Sequence, residues 1–183
     1  PGGFLSLMIF EIRYLKMIRK VNADKSCFGV ILLKNGSETE KPGITEQFYE
    51  VGTMARVVQF EILQPTLFSI RVKGERRFKI KSARKGRYSL WSGSIVEIGN
   101  DEIVQVPEEI GHVSRKLKNF YYSERSKELS QESEMSNFDE RFEDSGWVAN
   151  RWAEVLPIDL FQKQILLEER DPLTRLKKIA YIL

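Results

Sequence analysis

From residue 49 to residue 98 the chain reads as almost unbroken β-structure, and at Pro107 that character stops. Residues 49–63, 67–73, 77–83 and 88–98 are rich in β-branched and aromatic side chains, and Pro65, Gly74 and Gly86 punctuate them. Strands at this spacing predict a small, strongly curved sheet or barrel. Gly29, Gly52 and Gly93 fall inside strand patterns, where bulges or close backbone approaches are expected. Beyond Pro107, which suits a first helical turn, Ile110, Val113, Leu117, Phe120 and Tyr121 keep helical spacing. Val148, Trp152, Val155 and Leu156 form a second stripe, and a further helix is expected over 158–169. A last helix opens at Asp171-Pro172, an N-cap with proline behind it, and carries Leu173, Leu176, Ile179, Ala180 and Leu183. The expected class is therefore α+β, with a β-rich part over 1–104 and a helical part over 105–183. Residues 123–136 ("SERSKELSQESEMS") lack a packing stripe beyond Leu129 and Met135 and are expected to be a mobile segment.

The opening residues add to the β-rich part. Leu5, Leu7 and Ile9 alternate with Ser6 and Met8 as a half-buried strand. From Glu11 the period becomes helical, with Tyr14, Met17, Ile18 and Val21 on one face and Arg13, Lys16 and Lys20 opposite. "CFGVILL", residues 27–33, reads as a buried strand.

Charge divides along the same boundary. Residues 1–100 carry 17 Lys+Arg against 9 Asp+Glu, net +8, and residues 101–183 carry 12 against 17, net −5. The basic excess concentrates over 71–87, where nine basic residues stand with one acid, Glu75. Arg71, Lys73, Lys79 and Lys81 alternate with Ile70, Val72, Phe78 and Ile80, so period 2 would place them, with Arg77, on one face. Such a face could hold RNA phosphates, or it could be a solvated outer face whose lysines discourage edge pairing. No aromatic interleaves with its charges to stack bases.

Signatures of catalysis are sparse. No glycine is followed by lysine, so the phosphate-binding loop that ends in Gly-Lys-Ser/Thr is absent. One His and one Cys cannot build an imidazole or thiolate cluster, and no metal or cofactor site is expected. His112 sits on a predicted helix and reads as structural rather than as a base, while Cys27 is expected to be buried and inert. No serine lies in a nucleophile elbow, although a Ser-Lys dyad or an unfamiliar hydrolase site stays open from residue types alone. A single cysteine fits a reducing cytoplasm, and no apolar stretch approaches the ~20 residues of a membrane helix. Of the three tryptophans, Trp152 continues a packing stripe; Trp91 and Trp147 either pack or line a groove.

Four stretches, in order, carry a resemblance: "PGGFLSLMIFEIRYLKMI", "CFGVILL", "VGTMARVVQFEIL" and "VKGERRFKI". They are similar to the N-terminal domain of the Lon protease family, with its Pro-Gly turn, Phe-Glu-x-Arg-Tyr, Phe-Gly-Val, Val-Gly-Thr-x-Ala and Gly-x-x-Arg-Phe. The matching residues are Pro1, Gly2, Phe10, Glu11, Arg13, Tyr14, Phe28, Gly29, Val30, Val51, Gly52, Thr53, Ala55, Gly74, Arg77 and Phe78. "DSGWVANRWAEVLPIDLFQKQILLEERDPLTRLKKI" also resembles the helical part of the family, especially its short stand-alone bacterial members.

The resemblance implies a PUA-like β-pseudobarrel followed by a C-terminal helical bundle. It implies a helix from Glu11 that plugs or crosses the barrel, with Glu11 and Arg13 holding loops. It also implies a chain that naturally begins upstream of Pro1. The function it implies is non-enzymatic capture of unfolded or flexible polypeptides in grooves between barrel and bundle, in concert with a separate ATPase or protease. Trp91, Phe120, Tyr121 and Trp147 are the candidate contacts for such a chain. RNA binding on the Arg71, Lys73, Arg77, Lys79 and Lys81 face is the competing expectation, supported by fold analogy alone.

Overall fold

The computed structural model describes residues 1–36, 46–128 and 141–183. The chain divides into two compact units, Pro1–Asn100 and Asp101–Leu183. Residues 101–104, expected in the first part, belong to the second. Asp101 is an ion-pair partner of Arg175, and the Val104 carbonyl accepts a hydrogen bond from the Ser145 amide at 2.7 Å.

Among its described residues the first unit is an antiparallel sheet with one α-helix. In chain order it holds β1 (Phe4–Ile9), α1 (Ile12–Ala23), β2 (Cys27–Asn35), β3 (Gln47–Gln64), β4 (Leu67–Lys85) and β5 (Trp91–Glu97). The sheet order is β1-β4-β3-β2, and β5 pairs with the far half of β4. Residues 67–73 and 77–83, expected as two strands, are one. Gly74 interrupts the side-chain pattern without breaking the backbone ladder. Tyr88, expected in the last strand, sits instead in a left-handed turn at φ 59° ahead of β5.

That continuity has a consequence for side-chain direction. Thr53 pairs with Arg77 and Ala55 with Gly74, so β4 carries one extra residue across this interval. An inserted residue reverses which face the following side chains take. Before the bulge, Phe68, Ile70 and Val72 of β4 point into the core; after it, Phe78 points to the opposite face and covers Gly52 and Gly29. A Cβ at Gly52 would lie 2.5 Å from the Val30 carbonyl oxygen and 2.7 Å from Phe78 Cζ, so glycine is required there.

The core forms where α1 lies on the sheet. Leu15 and Ile18 pack with Ala55, Phe68, Ile70 and Val72. The buried stripe of α1 keeps Ile18 and Val21 of the expected face, and Leu15 is buried with them while Tyr14 and Met17 are only half-buried. Arg13, expected to face solvent, is buried. Its Nε donates to Glu11 Oε2 at 3.0 Å and its Nη1 to the Ser89 carbonyl at 3.2 Å, so it ties the turn before β5 to the start of α1.

The second unit is helical: α2 (Gly111–Glu128), α3 (Ser145–Val155), α4 (Leu160–Glu168) and α5 (Pro172–Ile182). Asp144, Asp159 and Asp171 cap the last three, each accepting from a backbone amide of the first turn. Asp171 is followed by proline in the first turn, as the sequence predicts. Val113 and Leu117 of α2, Val148, Ala149 and Trp152 of α3, Leu156, Leu166 of α4, and Leu176 and Ile179 of α5 make one apolar core. Trp152 is a core residue, and its indole N–H donates to the Val113 carbonyl at 3.0 Å. Val155 and Leu183 are exposed rather than packed. Of the segment 123–136, residues through Glu128 continue α2, and the rest lies outside the described residues.

One buried cation ties this unit together. Arg175 is 1% exposed and its guanidinium reaches Asp101 Oδ2 at 2.5 Å and Oδ1 at 3.2 Å. It also donates to Asn150 Oδ1 at 3.2 Å, to the Leu166 carbonyl at 3.0 Å and to the Glu169 carbonyl. The end of α4, the start of α5, α3 and the segment before α2 therefore share one donor.

Candidate functional site

Three of the four aromatic residues singled out in the sequence come together in the helical unit. Late in α2, Phe120, Tyr121 and Tyr122 are consecutive, so helix rotation fans them over adjacent directions. Tyr121 turns toward the core and meets Trp147 at 6.3 Å between centroids and Phe142 at 6.3 Å. Phe142 and Trp147 meet edge to face at 5.0 Å, and Phe120 meets Tyr121 edge to face at 6.1 Å. Tyr122 approaches Phe142 at 6.4 Å. The result is a five-ring cluster whose inner members rest on the apolar core and whose outer members are open, Phe120 at 39% and Tyr122 at 42% exposure.

Local structure fixes these positions. Trp147 lies in the first turn of α3, just behind the Asp144 cap that accepts from the Gly146 amide at 2.9 Å. Phe142 precedes that cap in a turn closed by the Asp144 amide on the Arg141 carbonyl at 3.0 Å. Its own carbonyl accepts from Ser114 Oγ at 2.5 Å, which holds it against α2. Burial pushes the Tyr121 phenol above its ordinary pKa; Glu154 adds to the shift and Arg151 opposes it. The ring stays neutral at physiological pH.

Cations border the cluster. Lys118 Nζ stands 5.8 Å from the centroids of both Tyr122 and Phe142, and the Arg151 guanidinium 5.8 Å from Trp147. Arg151 is buried and paired with Glu154.

Phe142 and Tyr122 were not singled out in the sequence. Tyr122 directly follows two named aromatics. Phe142 sits in "RFEDSG", a charged stretch whose only signal is the Asp-Ser-Gly cap beginning two residues later.

Trp91, the fourth candidate, belongs to the sheet unit. Its ring meets Phe48 edge to face at 5.1 Å, with Lys85 Nζ 5.6 Å from its centroid. It is half-buried at the start of β5.

The basic face expected over 71–81 is divided. Arg71 pairs with Gln59 and Ser6, and Lys73 with Arg56 and Phe4, on the outer side of the sheet. There the Arg71 guanidinium lies 4.7 Å from the Phe4 ring centroid and Lys73 Nζ 5.9 Å from it. After the bulge, Arg77 and Lys79 pair with Thr53 and Val51 on the other side. Arg77 is buried at 4% exposure, and Lys79 is engaged by Glu50 at 3.0 Å. Lys81 falls in a second irregularity, between Ile80 and Ser82. Strict alternation fails because of the extra residue.

No group of three His, Cys, Asp or Glu among the described residues is placed to hold a metal ion. His112 is exposed. Cys27 is half-buried rather than buried, and its thiol donates to Glu75 Oε2 at 3.3 Å. Burial and the neighbouring Glu75 carboxylate push its pKa up, which disfavours the thiolate. No helix among the described residues is long and apolar enough to cross a membrane.

Comparison with known proteins places the chain in a class. The family model of the substrate-binding domain of ATP-dependent protease La (Lon) matches residues 1–183, and the chain belongs to that family. It is similar to the Lon N-terminal domain protein from Xanthomonas campestris, whose crystal structure superposes with a TM-score of 0.74 at 25% identity, covering 99% of this chain and 90% of that one. It also shares the fold of the N-terminal domain of Mycobacterium avium complex Lon protease, with a TM-score of 0.59 at 16% identity, over 99% of this chain and 89% of that one. The Lon protease of Anaeromyxobacter dehalogenans (strain 2CP-C) is 34% identical over 80 residues, which are 44% of this chain and 9% of that protein. The chain thus matches less than a tenth of the length of that relative.

Proposed function

We propose that this chain is a non-catalytic polypeptide-binding module that takes unfolded or flexible segments on the aromatic cluster of its helical unit. The single observation that carries this reading is the five-ring cluster itself. Its inner rings are fixed by the core and by the Asp144 cap, while Phe120 and Tyr122 stay open to solvent. Rigid aromatic area binds apolar side chains of many sequences, because it asks for shape and burial rather than for particular hydrogen-bond donors. Membership of the Lon substrate-binding family supports the same role. The antiparallel sheet with α1 packed on it supports reading the first unit as a PUA-like pseudobarrel, and four helices around one apolar core support reading the second as a bundle. The partners proposed are cytoplasmic polypeptide substrates, delivered to a separate ATPase or protease.

The nucleic-acid reading loses its support with the division of the basic residues between two faces. The test is titration with a permanently unfolded, uncharged-rich polypeptide, followed by intrinsic tryptophan fluorescence. The expected result is saturable binding that changes little with salt and shifts the emission of Trp147. A titration with single-stranded RNA that saturates more tightly, and collapses as salt rises, would reverse the assignment.

A further inference from the structure

We propose that the aromatic face, taken as the polypeptide site argued above and resting on that reading, selects apolar segments flanked by acidic residues. The charge around the rings carries the proposal. Residues 111–123 contain Arg115, Lys116 and Lys118 and neither Asp nor Glu, although residues 101–183 as a whole carry net −5. All three cations are exposed. Lys118 precedes Tyr122 by four residues and Lys116 precedes Phe120 by four, so each stands one helical turn from an open ring on the same face. Arg115 lies a further turn back from Lys118. The exposed acid nearest in sequence to the cluster is Glu143, beside Phe142, whereas Glu154 is already held by Arg151.

Geometry sets the reach of these charges. Lys118 Nζ is 5.8 Å from two ring centroids. An extended chain advances about 3.3 Å per residue, so a carboxylate one or two residues from a ring-bound side chain stays within a Debye length of about 8 Å. Cations at that rim favour acidic flanks and disfavour basic ones, which gives selectivity on top of apolar capture. Stacked nucleobases fit this face less well. The rings are engaged edge to face with one another, and Lys118 already stands near Tyr122 and Phe142.

The experiment uses the full chain and two synthetic peptides with one shared apolar core, flanked by Glu or by Lys, with binding read by fluorescence anisotropy. At low salt the Glu-flanked peptide should bind roughly fivefold to tenfold more tightly, and high salt should erase the difference. Lys116→Glu with Lys118→Glu should invert the order, and Lys118→Gln should shrink it. Circular dichroism melts of each variant establish that the helix is intact; substitution of these exposed positions leaves the core untouched. Equal binding of both peptides, still lost on Trp147→Ala, overturns the acidic preference and leaves the polypeptide reading standing. Failure to bind either peptide overturns both. Displacement of the Glu-flanked peptide by an equimolar single-stranded oligouridylate overturns the choice of a polypeptide partner.

Discussion

The sheet unit and the helical unit bury comparable apolar cores, yet they handle inserted residues differently. In the sheet, side-chain direction is inherited from strand pairing, and one extra residue between Gly74 and Arg77 turns over the stretch of β4 that follows, up to the second irregularity at Ile80/Ser82. The basic residues are thereby shared between two faces, and Arg77 goes inside. In the helical unit, direction follows rotation about each helix axis, and every core residue of α2, α3 and α5 keeps the helical spacing of its stripe. Rigidity also comes from different sources. The sheet unit relies on its hydrogen-bonded ladder and on close approaches such as Gly52 under Phe78, whereas the helical unit relies on side-chain bonds to helix ends, those of Arg175 above all.

The largest expected effect strikes the helical unit. Arg175→Met should cost roughly 3–5 kcal/mol in urea unfolding, because it strands the Asp101 carboxylate and two helix-end carbonyls beneath the surface. The ion pair of the sheet unit, Arg56 with Glu75, is far more exposed, and Arg56→Met should cost much less. A larger loss for Arg56→Met would dissolve the contrast. The next effect belongs to the sheet. Gly52→Ala should cost about 1–3 kcal/mol, since its Cβ would meet backbone oxygen and a buried ring. Gly146→Ala in α3 should cost less, because its Cβ would sit 3.2 Å from Asp101 Oδ2 and Pro172 Cβ and alanine favours the helix. Thermal melts of the pair give the order.

Loss of a cap is smaller again. Asp144→Ala should cost about 1 kcal/mol and should loosen Trp147, read as a red shift in its emission. The smallest effect is a pH dependence. A hydrogen bond from Lys178, aided by the Asp171 amide, holds the Glu169 carboxyl below its ordinary range. A depressed folded pKa means stability present above the unfolded value of about 4.3 and lost as pH falls through the folded one. The melting temperatures of the native chain and Glu169→Gln should therefore converge as pH drops below about 4, and a gap unchanged there would remove Glu169 from the account.

Much of this was legible in the sequence, for reasons that can be named. The β-to-helix switch at Pro107 and the Asp171-Pro172 cap are local signals, written in adjacent residues, and both stand in the structure. Trp152 was legible because its stripe includes Val148 and Leu156. The bulge was not, because a glycine in a strand marks a break and a bulge equally well, and the difference lies in the pairing partner. Nor was the burial of Arg13 legible, since it depends on the Ser89 carbonyl, which is distant in the chain. Of the aromatic site, Phe120, Tyr121 and Trp147 stood out by residue type; Phe142 entered only through the turn that Ser114 and Asp144 hold.

The central claim is that the aromatic cluster of the helical unit, rather than Trp91 or the basic strand of the sheet unit, binds polypeptide. Affinity for a permanently unfolded protein, measured for Trp147→Ala, Trp91→Ala and the double charge reversal Lys79→Glu with Lys81→Glu, compares the two units directly. All three variants are first checked for a native melt. Trp147→Ala should weaken binding by roughly 1–3 kcal/mol, as loss of an aromatic anchor does, and the other two should stay within about 0.5 kcal/mol of the native chain. A folded Trp147→Ala variant that keeps full affinity, while either sheet variant loses it, would contradict the account.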